Sequence, residues 1–466
     1  MDILKARRIY MIGIKGAGMT ALAEFLIRQG SNVVGSDTEE VFFTDAVLAR
    51  LGISVLSPFR ADQIDPTSEV CIYSTAYTRE NNEEMRAFEA TGKPMLSYPE
   101  ALGMITANKM TLAVCGTHGK TTTSALLAEA LRGAGVEPSA IVGSEIKSWG
   151  GGALAGSGPH LVIEADEYQD KLRFYTPFGI ILTSIDWDHP DFFPTVASYE
   201  AVFQKFIERL PRHGFVVAWG DDARVRKIVQ SFPGKKIFYG FLPENDIRIV
   251  SALPVDPESP EGLKGIRQHC SLSLESGETR EIVLTLTGKH NALNAAAVAS
   301  VFGHLKLSFE SLEKTFSSFQ GTKRRFEQLG RVNDALIYDD YAHHPEEIRA
   351  TLTAFRELYP KRTLTVIFHP HTFTRTKALL EEFAEALGLA DQVYLLDIYG
   401  SARETQGGGT SQDVVDRINR VWPGKAQYSP DRMQLVQQLQ QTVTGQDLVV
   451  TMGAGDVWQI ASALLS

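Results

Sequence analysis

The run Cys115-Gly116-Thr117-His118-Gly119-Lys120-Thr121-Thr122-Thr123 combines two hinge glycines, an ammonium group and a row of hydroxyls. Such a combination is suited to binding a polyphosphate. It follows a short apolar run, Met110 to Cys115, and precedes apolar residues at helical spacing from Ser124 to Leu131, the context of a strand, a turn and a helix start. Backbone N–H groups of the turn are expected to point at phosphate oxygens, the helix dipole favours the anion, and Lys120 reaches the terminal phosphates. Thr121 offers a hydroxyl to Mg²⁺. The turn is a shortened phosphate loop: Val114 stands where the usual pattern has its first glycine, and Gly116 lies three residues before Gly119.

Other polar clusters also close apolar runs. Leu161 to Glu164 leads into Ala165-Asp166-Glu167, and Gly179 to Ile185 into Asp186-Trp187-Asp188-His189. Ligands of open parallel sheets collect at carboxyl strand ends, and hard cations prefer hydroxyl and carboxylate oxygen. Thr121, Glu164 and His189 are therefore the candidate metal ligands; His189 reads equally as a hydrogen-bonded strand-end residue, and Asp166 and Glu167 as helix caps or outer contacts. Asn291 and Asn294, three apart on one helix face, suit an adenine edge, or Asn291 caps the helix. Asp339-Asp340-Tyr341-Ala342-His343-His344-Pro345 and His369-Pro370-His371-Thr372-Phe373-Thr374-Arg375 end two further runs. Burying such groups uncompensated costs several kcal/mol, so a substrate or nucleotide cleft is the simpler reading. Gly13-Ile14-Lys15-Gly16-Ala17-Gly18 with Asp37 downstream resembles a dinucleotide turn with shifted spacing, or simply provides helix-packing glycines.

These residues need elements to hold them. A chain of 466 residues accommodates about three domains. Strand-like runs at Arg8–14, Asn32–Gly35, Val70–Ser74 and 94–Ser97 make residues 1–106 one α/β unit. A central unit, 107–321, carries the phosphate loop and a small antiparallel excursion within Ile247–Gly288. A third α/β cycle, 322–466, has strands at Ala335–Tyr338, Leu364–Phe368, Gln392–Leu396 and Leu448–Met452, with a helix from Thr376. Gly407-Gly408-Gly409 reads as a surface loop. The net charge of −10 argues against a nucleic-acid partner, which would want a basic face. Cys71, Cys115 and Cys270 form no pair motif, as in a reducing cytoplasm. No signal core or long apolar span is present, so no membrane partner is expected.

In combination, Cys-Gly-Thr-His-Gly-Lys-Thr-Thr-Thr, Glu-Ala-Asp-Glu, Asp-His, His290-Asn-Ala-Leu-Asn294, Arg324-Arg325-Phe326, Asp-Asp-Tyr-Ala-His-His-Pro and His371-Thr-Phe-Thr-Arg375-Thr resemble the Mur ligases, ATP-dependent amide ligases of peptidoglycan precursor synthesis. The order of the motifs matches across the whole chain. The resemblance implies an N-terminal Rossmann-like domain for a UDP-sugar, a central P-loop ATPase-like domain and a C-terminal Rossmann-like domain for the amino acid. By position it implies Gly116 to Thr122 on the ATP phosphates, with Lys120 central; Asn291 and Asn294 at adenine; Arg325 and Asp340 on the nucleotide; Thr121 and Glu164 on one Mg²⁺ and His189 on a second. His344, His371 and Arg375 would line the amino-acid pocket, and Gly13, Gly16, Gly18, Asp37 and Ser74 the UDP-sugar site. Within the family the pattern is nearest to the members that join L-alanine to UDP-N-acetylmuramate, with the tripeptide-recycling ligases next. Folylpolyglutamate synthase and an inactive nucleotide-binding regulator are the other readings. A cytoplasmic monomer or weak homodimer is expected. Lys15, Ser57-Pro58-Phe59 and Tyr98 depart from the family's usual residues, all in the UDP-sugar domain. Gln204 stands where several relatives carry a carbamylated lysine, so no carbamate is expected. A proton acceptor for the incoming amine is sought at His344 or His371.

Overall fold

The computed structural model describes residues 2–400, 404 and 408–466, so Gly407 of the glycine run lies outside the described residues. Three sheets follow one another along the chain. The first comprises β1 (Arg8–Ile12), β2 (Asn32–Ser36), β3 (Val70–Tyr73) and β4 (Met95–Ser97) in the order β2-β1-β3-β4. All its pairings are parallel, and four of the five β1 residues are buried, as expected of a strand covered on both faces.

The second sheet has ten strands: β5 (Met110–Cys115), β6 (Ser139–Ile146), β7 (Gly151–Leu154), β8 (His160–Glu164), β9 (Gly179–Leu182), β10 (Phe215–Trp219), β11 (Lys235–Gly240), β12 (Ile247–Pro254), β13 (Gln268–Ser273) and β14 (Thr279–Leu284). Their order is β14-β13-β12-β11-β10-β9-β5-β8-β6-β7. The strands β9, β5 and β8 lie side by side in parallel, so the phosphate loop, the Glu164 cluster and the Asp186 cluster emerge together at one edge. The antiparallel excursion does not stand apart. It continues the sheet, because β12 pairs in parallel with β11 before β13 and β14 fold back.

The third sheet contains β15 (Glu327–Val332), β16 (Ala335–Asp340), β17 (Thr363–Phe368), β18 (Gln392–Leu395), β19 (Ala426–Tyr428) and β20 (Asp447–Met452), ordered β15-β16-β20-β17-β18-β19. The helix expected from Thr376 begins at Phe373, which puts Arg375 in its first turn. Strands β6, β7, β10, β11, β15 and β19 escaped the sequence reading; β7 is glycine-rich and β15 is a half-polar edge, so neither carries a clear alternation.

The domains are joined by buried charge. Glu24, on the helix Ala17–Arg28, accepts from the backbone N–H of Gly152 (2.8 Å) and Ala153 (3.1 Å) on β7. Glu145 on β6 meets Arg50 of the first domain at 2.8 Å and Lys323 of the following junction at 3.2 Å. All three cysteines are buried thiols. Among the described residues, no helix is long and apolar enough to cross a membrane.

Candidate active site

The phosphate loop turns at two glycines with positive φ, Gly116 (124°) and Gly119 (77°). A Cβ on Gly116 would lie 2.3 Å from the Thr183 hydroxyl, and one on Gly119 2.6 Å from Asn294 Oδ1, so neither position has room for a side chain. The loop is strapped to the end of β9: Thr117 N–H donates to Ser184 O (2.9 Å) and His118 N–H to Ser184 Oγ (3.1 Å). These two N–H groups are therefore committed within the chain. The groups left for phosphate oxygens are those of the first helical turn, at Lys120, Thr121 and Thr122, which have no intrahelical partner.

Lys120 is folded back onto its own loop. Its ammonium donates to Gly116 O (2.6 Å), Thr117 O (3.0 Å) and Glu167 Oε2 (2.9 Å), which uses all three donors. Burial works against this charge, but the Glu167 carboxylate outweighs it and holds the lysine protonated. Glu167 also accepts from the buried Tyr199 hydroxyl at 2.8 Å, and that hydroxyl lies 2.9 Å from Thr117 Oγ1. A carboxylate is the stronger acceptor, so the tyrosine proton points to Glu167. Thr117, Tyr199, Glu167 and Lys120 thus form one internal chain.

The candidate metal ligands are close but separately engaged. Thr121 Oγ1 donates to Glu164 Oε1 (2.6 Å), and Gly143 N–H to Glu164 Oε2 (2.7 Å). The ligand atoms of Asp166, Glu167 and His189 lie within 4.8 Å of one another, a grouping not expected from the sequence, where both acids read as helix caps or outer contacts. Asp166 pairs closely with Lys171. His189 adopts positive φ (55°) and stacks on Tyr168 with centroids 4.3 Å apart. Hydroxyl and carboxylate oxygens dominate this region, the donor set a Mg²⁺ ion requires.

Beside the loop, a cavity of about 220 Å³ is lined by Trp219, Tyr239, Leu286, Leu293 and Asn291, an apolar slot of the kind a purine fills. Asn294 Nδ2 donates to Asn291 Oδ1 (3.1 Å), Asn291 Nδ2 to Thr287 O (2.8 Å), and Thr123 Oγ1 to Asn294 Oδ1 (3.0 Å). The two amides therefore brace the loop helix as well as bordering the slot. Asp340, another of its lining residues, accepts from Phe326 N–H (2.7 Å) and Ala342 N–H (2.8 Å), and burial raises its pKa to about 6.

A second cavity, about 420 Å³, takes residues from all three domains, including Gly18, Lys120, Glu164, His189, His343 and Arg375. Arg375 is buried and bidentate on Asp188, at 2.8 and 3.2 Å, across the domain junction; its third nitrogen donates to His371 Nδ1 at 3.3 Å. On the other side, His118 lies between Asp186 (3.3 Å) and Glu347 (3.5 Å). Burial opposes its charge, but the two carboxylates prevail and raise its pKa to about 9. Glu347 meets Arg325 at 3.6 Å. Neither Asp188, inside the Asp186–His189 run, nor Glu347, two residues past the Asp339–Pro345 run, was given a role from sequence.

Of the expected UDP-sugar residues, Gly13, Gly16, Asp37 and Ser74 border a third cavity of about 870 Å³ between the first and third domains, while Gly18 borders the second. Asp37 accepts from Lys15 N–H (2.7 Å), Thr38 N–H (2.8 Å) and Tyr77 OH (3.2 Å), so its first task is to shape the turn. Lys15 donates to the carbonyls of Thr38 (3.0 Å) and Glu40 (2.7 Å). Phe59 packs edge-on to Tyr77, and the Tyr98 ring lies against Gly18.

Family models match in sequence along the chain: the Mur ligase family catalytic domain over residues 8–110, the Mur ligase middle domain over 114–302, and the Mur ligase glutamate ligase domain over 324–455. A UDP-N-acetylmuramate–L-alanine ligase of Desulfitobacterium hafniense is 37% identical over 458 residues, covering 98% of this chain and 99% of its own. The chain belongs to the Mur ligase family. Its fold is also that of solved members. A UDP-N-acetylmuramate-alanine ligase from Thermotoga maritima superposes with a TM-score of 0.82 at 24% identity, covering 98% of both chains. A murein peptide ligase from Psychrobacter arcticus gives 0.75 at 22% identity, again over 98% of both. The Mur ligase pattern accounts for the spread of polar clusters over three domains: each domain brings part of one cleft.

Proposed function

We propose that this chain is an ATP-dependent, ADP-forming ligase that joins L-alanine to the lactyl carboxylate of UDP-N-acetylmuramate in peptidoglycan precursor synthesis. The observation that carries this reading is the single cleft in which Lys120, Glu164 and His189 of the central domain and His343 and Arg375 of the third line one cavity with Gly18 of the first, in a chain 37% identical to a ligase of that name. Residues 1–106 hold the UDP-sugar, 107–321 the ATP and 322–466 the amino acid.

The chemistry follows from the side chains. A carboxylate attacking the γ-phosphate of ATP brings like charges together, so cations must offset them. Lys120 leaves Glu167 for the phosphates, the N–H groups of Lys120 to Thr122 add the helix dipole, and His118, kept cationic by Asp186 and Glu347, adds a further charge beside the loop. Thr121 and Glu164 would hold one Mg²⁺ and His189, with Asp166 or Glu167, a second; bound there, the ions supply charge neutralisation. Asn291, Asn294 and the aromatic slot take adenine. The acyl phosphate so formed is attacked by the amine, whose carboxylate pairs with Arg375 near His371. The enzyme works in the cytoplasm as a monomer or weak homodimer.

Phosphate release with ATP, UDP-N-acetylmuramate and a panel of amino donors tests the reading. L-Alanine should be the preferred donor; faster turnover with an L-Ala-γ-D-Glu-diamino-acid tripeptide would overturn the donor assignment. An absence of donor-dependent release in the wild-type chain would point to a nucleotide-binding regulator.

A further inference from the structure

The ligation step needs a base, because an amine that adds to an acyl phosphate must shed a proton before the amide is complete. Five histidines border or abut the cleft, and their hydrogen-bond partners fix which ring nitrogens are free. His118 has a carboxylate facing each nitrogen, so both carry protons. His344 Nδ1 accepts the Glu346 N–H at 3.3 Å as cap of the helix Pro345–Leu358, and its Nε2 faces the Trp187 carbonyl at 3.4 Å; in the neutral ring that nitrogen is the donor. His371 Nδ1 accepts from Arg375, which has no lone pair to give, so its proton sits on Nε2. His189 has its ring nitrogen within 4.8 Å of the Asp166 and Glu167 carboxylates, the grouping that could share a metal. His344 and His371, the two expected bases, therefore have no unprotonated nitrogen to offer in this arrangement.

His343 differs from the others. Its Nδ1 faces two acceptors, the Tyr341 carbonyl at 2.9 Å and Glu347 Oε2 at 3.4 Å, so the proton is on Nδ1 and the lone pair is on Nε2. The residue borders the cavity shared with Arg375 and Lys120, and among the described residues Nε2 has no protein partner. Glu347 is held ionised: burial would raise its pKa, but His343, His118 and Arg325 keep it well below the usual carboxylate range. The Tyr341 carbonyl on Nδ1–H, the Glu347 carboxylate beside it and accepting the His343 backbone N–H at 3.1 Å, and an open Nε2 in front make an oriented base.

We propose that His343 Nε2 is the general base of the ligation step and that Glu347 is its positioning residue. The inference rests on the ligase reading above. The alanine ammonium gives one proton to the Nε2 lone pair; the freed amine forms its bond to the acyl carbon, and the C–O bond to phosphate breaks with its electron pair leaving on phosphate, which takes the second N–H proton while His343 releases its own to solvent. The groups facing His343 are Glu347 and Tyr341 from its own segment, Arg375 and His371 from the segment after β17, and Asp188 from the end of β9. Burial lowers the pKa of His343 to about 4, with Glu347 and Asp188 opposing and Arg375 adding to the shift. A substrate carboxylate on Arg375 neutralises that adverse charge, so the base strengthens when the amino acid is present.

The test compares L-alanine with hydroxylamine, a nucleophile already unprotonated at neutral pH. His343→Asn keeps a donor near the Nδ1 position and removes Nε2. The variant should lose about 100-fold in kcat with alanine while its KM for ATP stays within about twofold and hydroxamate formation is retained. Imidazole should partly restore His343→Ala. Undiminished alanine turnover in His343→Asn would overturn the proposal, and so would equal loss with both nucleophiles, which would make the role structural. If the wild-type chain forms neither amide nor hydroxamate, it is the ligase reading that falls.

Discussion

Two glycine-rich turns follow the first strands of the first and second sheets, and each carries a lysine that points inward. Lys15 stands before its helix and grips the carbonyls of Thr38 and Glu40, so it ties one loop to another. Lys120 is the first residue of its helix and is matched by a buried carboxylate, Glu167. The carboxylate nearest Lys15, Asp45 at 3.5 Å, is part-exposed and looser than its carbonyl partners, whereas the buried Glu167 holds Lys120 at 2.9 Å and can be exchanged for phosphate. Similar glycine spacing therefore serves a scaffold in one turn and chemistry in the other.

The largest test of that contrast is Lys120→Ala, which should cut phosphate release by about 1,000-fold with the fold retained, measured by coupled assay and thermal unfolding. The second is pH. His118 of the phosphate loop has its pKa raised to about 9 from 6.5, so the stability it contributes is fully present below pH 6.5 and is lost as pH rises through about 9. That contribution is at most about 3 kcal/mol. The midpoint of thermal unfolding should fall across this window, and His118→Gln should flatten the fall; the first turn has no counterpart. Third, Gly119→Ala should destabilise by at least about 1–2 kcal/mol through its left-handed backbone, with the 2.6 Å approach of its Cβ to Asn294 Oδ1 adding to the loss, whereas Gly16→Ala, whose Cβ would meet nothing nearer than 3.5 Å, should be close to neutral in denaturant titration. Smallest, Lys15→Met should raise the KM for the UDP-sugar about threefold by loosening the 38–45 loop, with kcat unchanged. A loss of kcat there comparable with Lys120→Ala would erase the distinction.

Much of this was legible in sequence where the signal is local. The strand, glycine turn and lysine around Gly119 are contiguous, and β5 runs over the predicted Met110–Cys115. Tyr199 shows the limit. On the helix Val196–Ile207 it sits with Val202, Phe203 and Phe206 among the buried residues and reads as core, because nothing in its spacing reveals that its hydroxyl reaches Glu167. Gln204 on the same helix is exposed and faces Glu208. His343 was hidden for a similar reason. It is one of two adjacent histidines, and only their partners tell the helix cap, His344, from the ring with an open nitrogen.

The sequence by itself determined the kind of chemistry, since a glycine-hinged lysine before a helix and acids at strand ends are fixed by short-range spacing. The tertiary structure decided which groups are free to act. Proton positions, ion pairs such as Asp188–Arg375 and the sharing of one cleft by three domains depend on distances between residues far apart in the chain, and those distances arise only from packing.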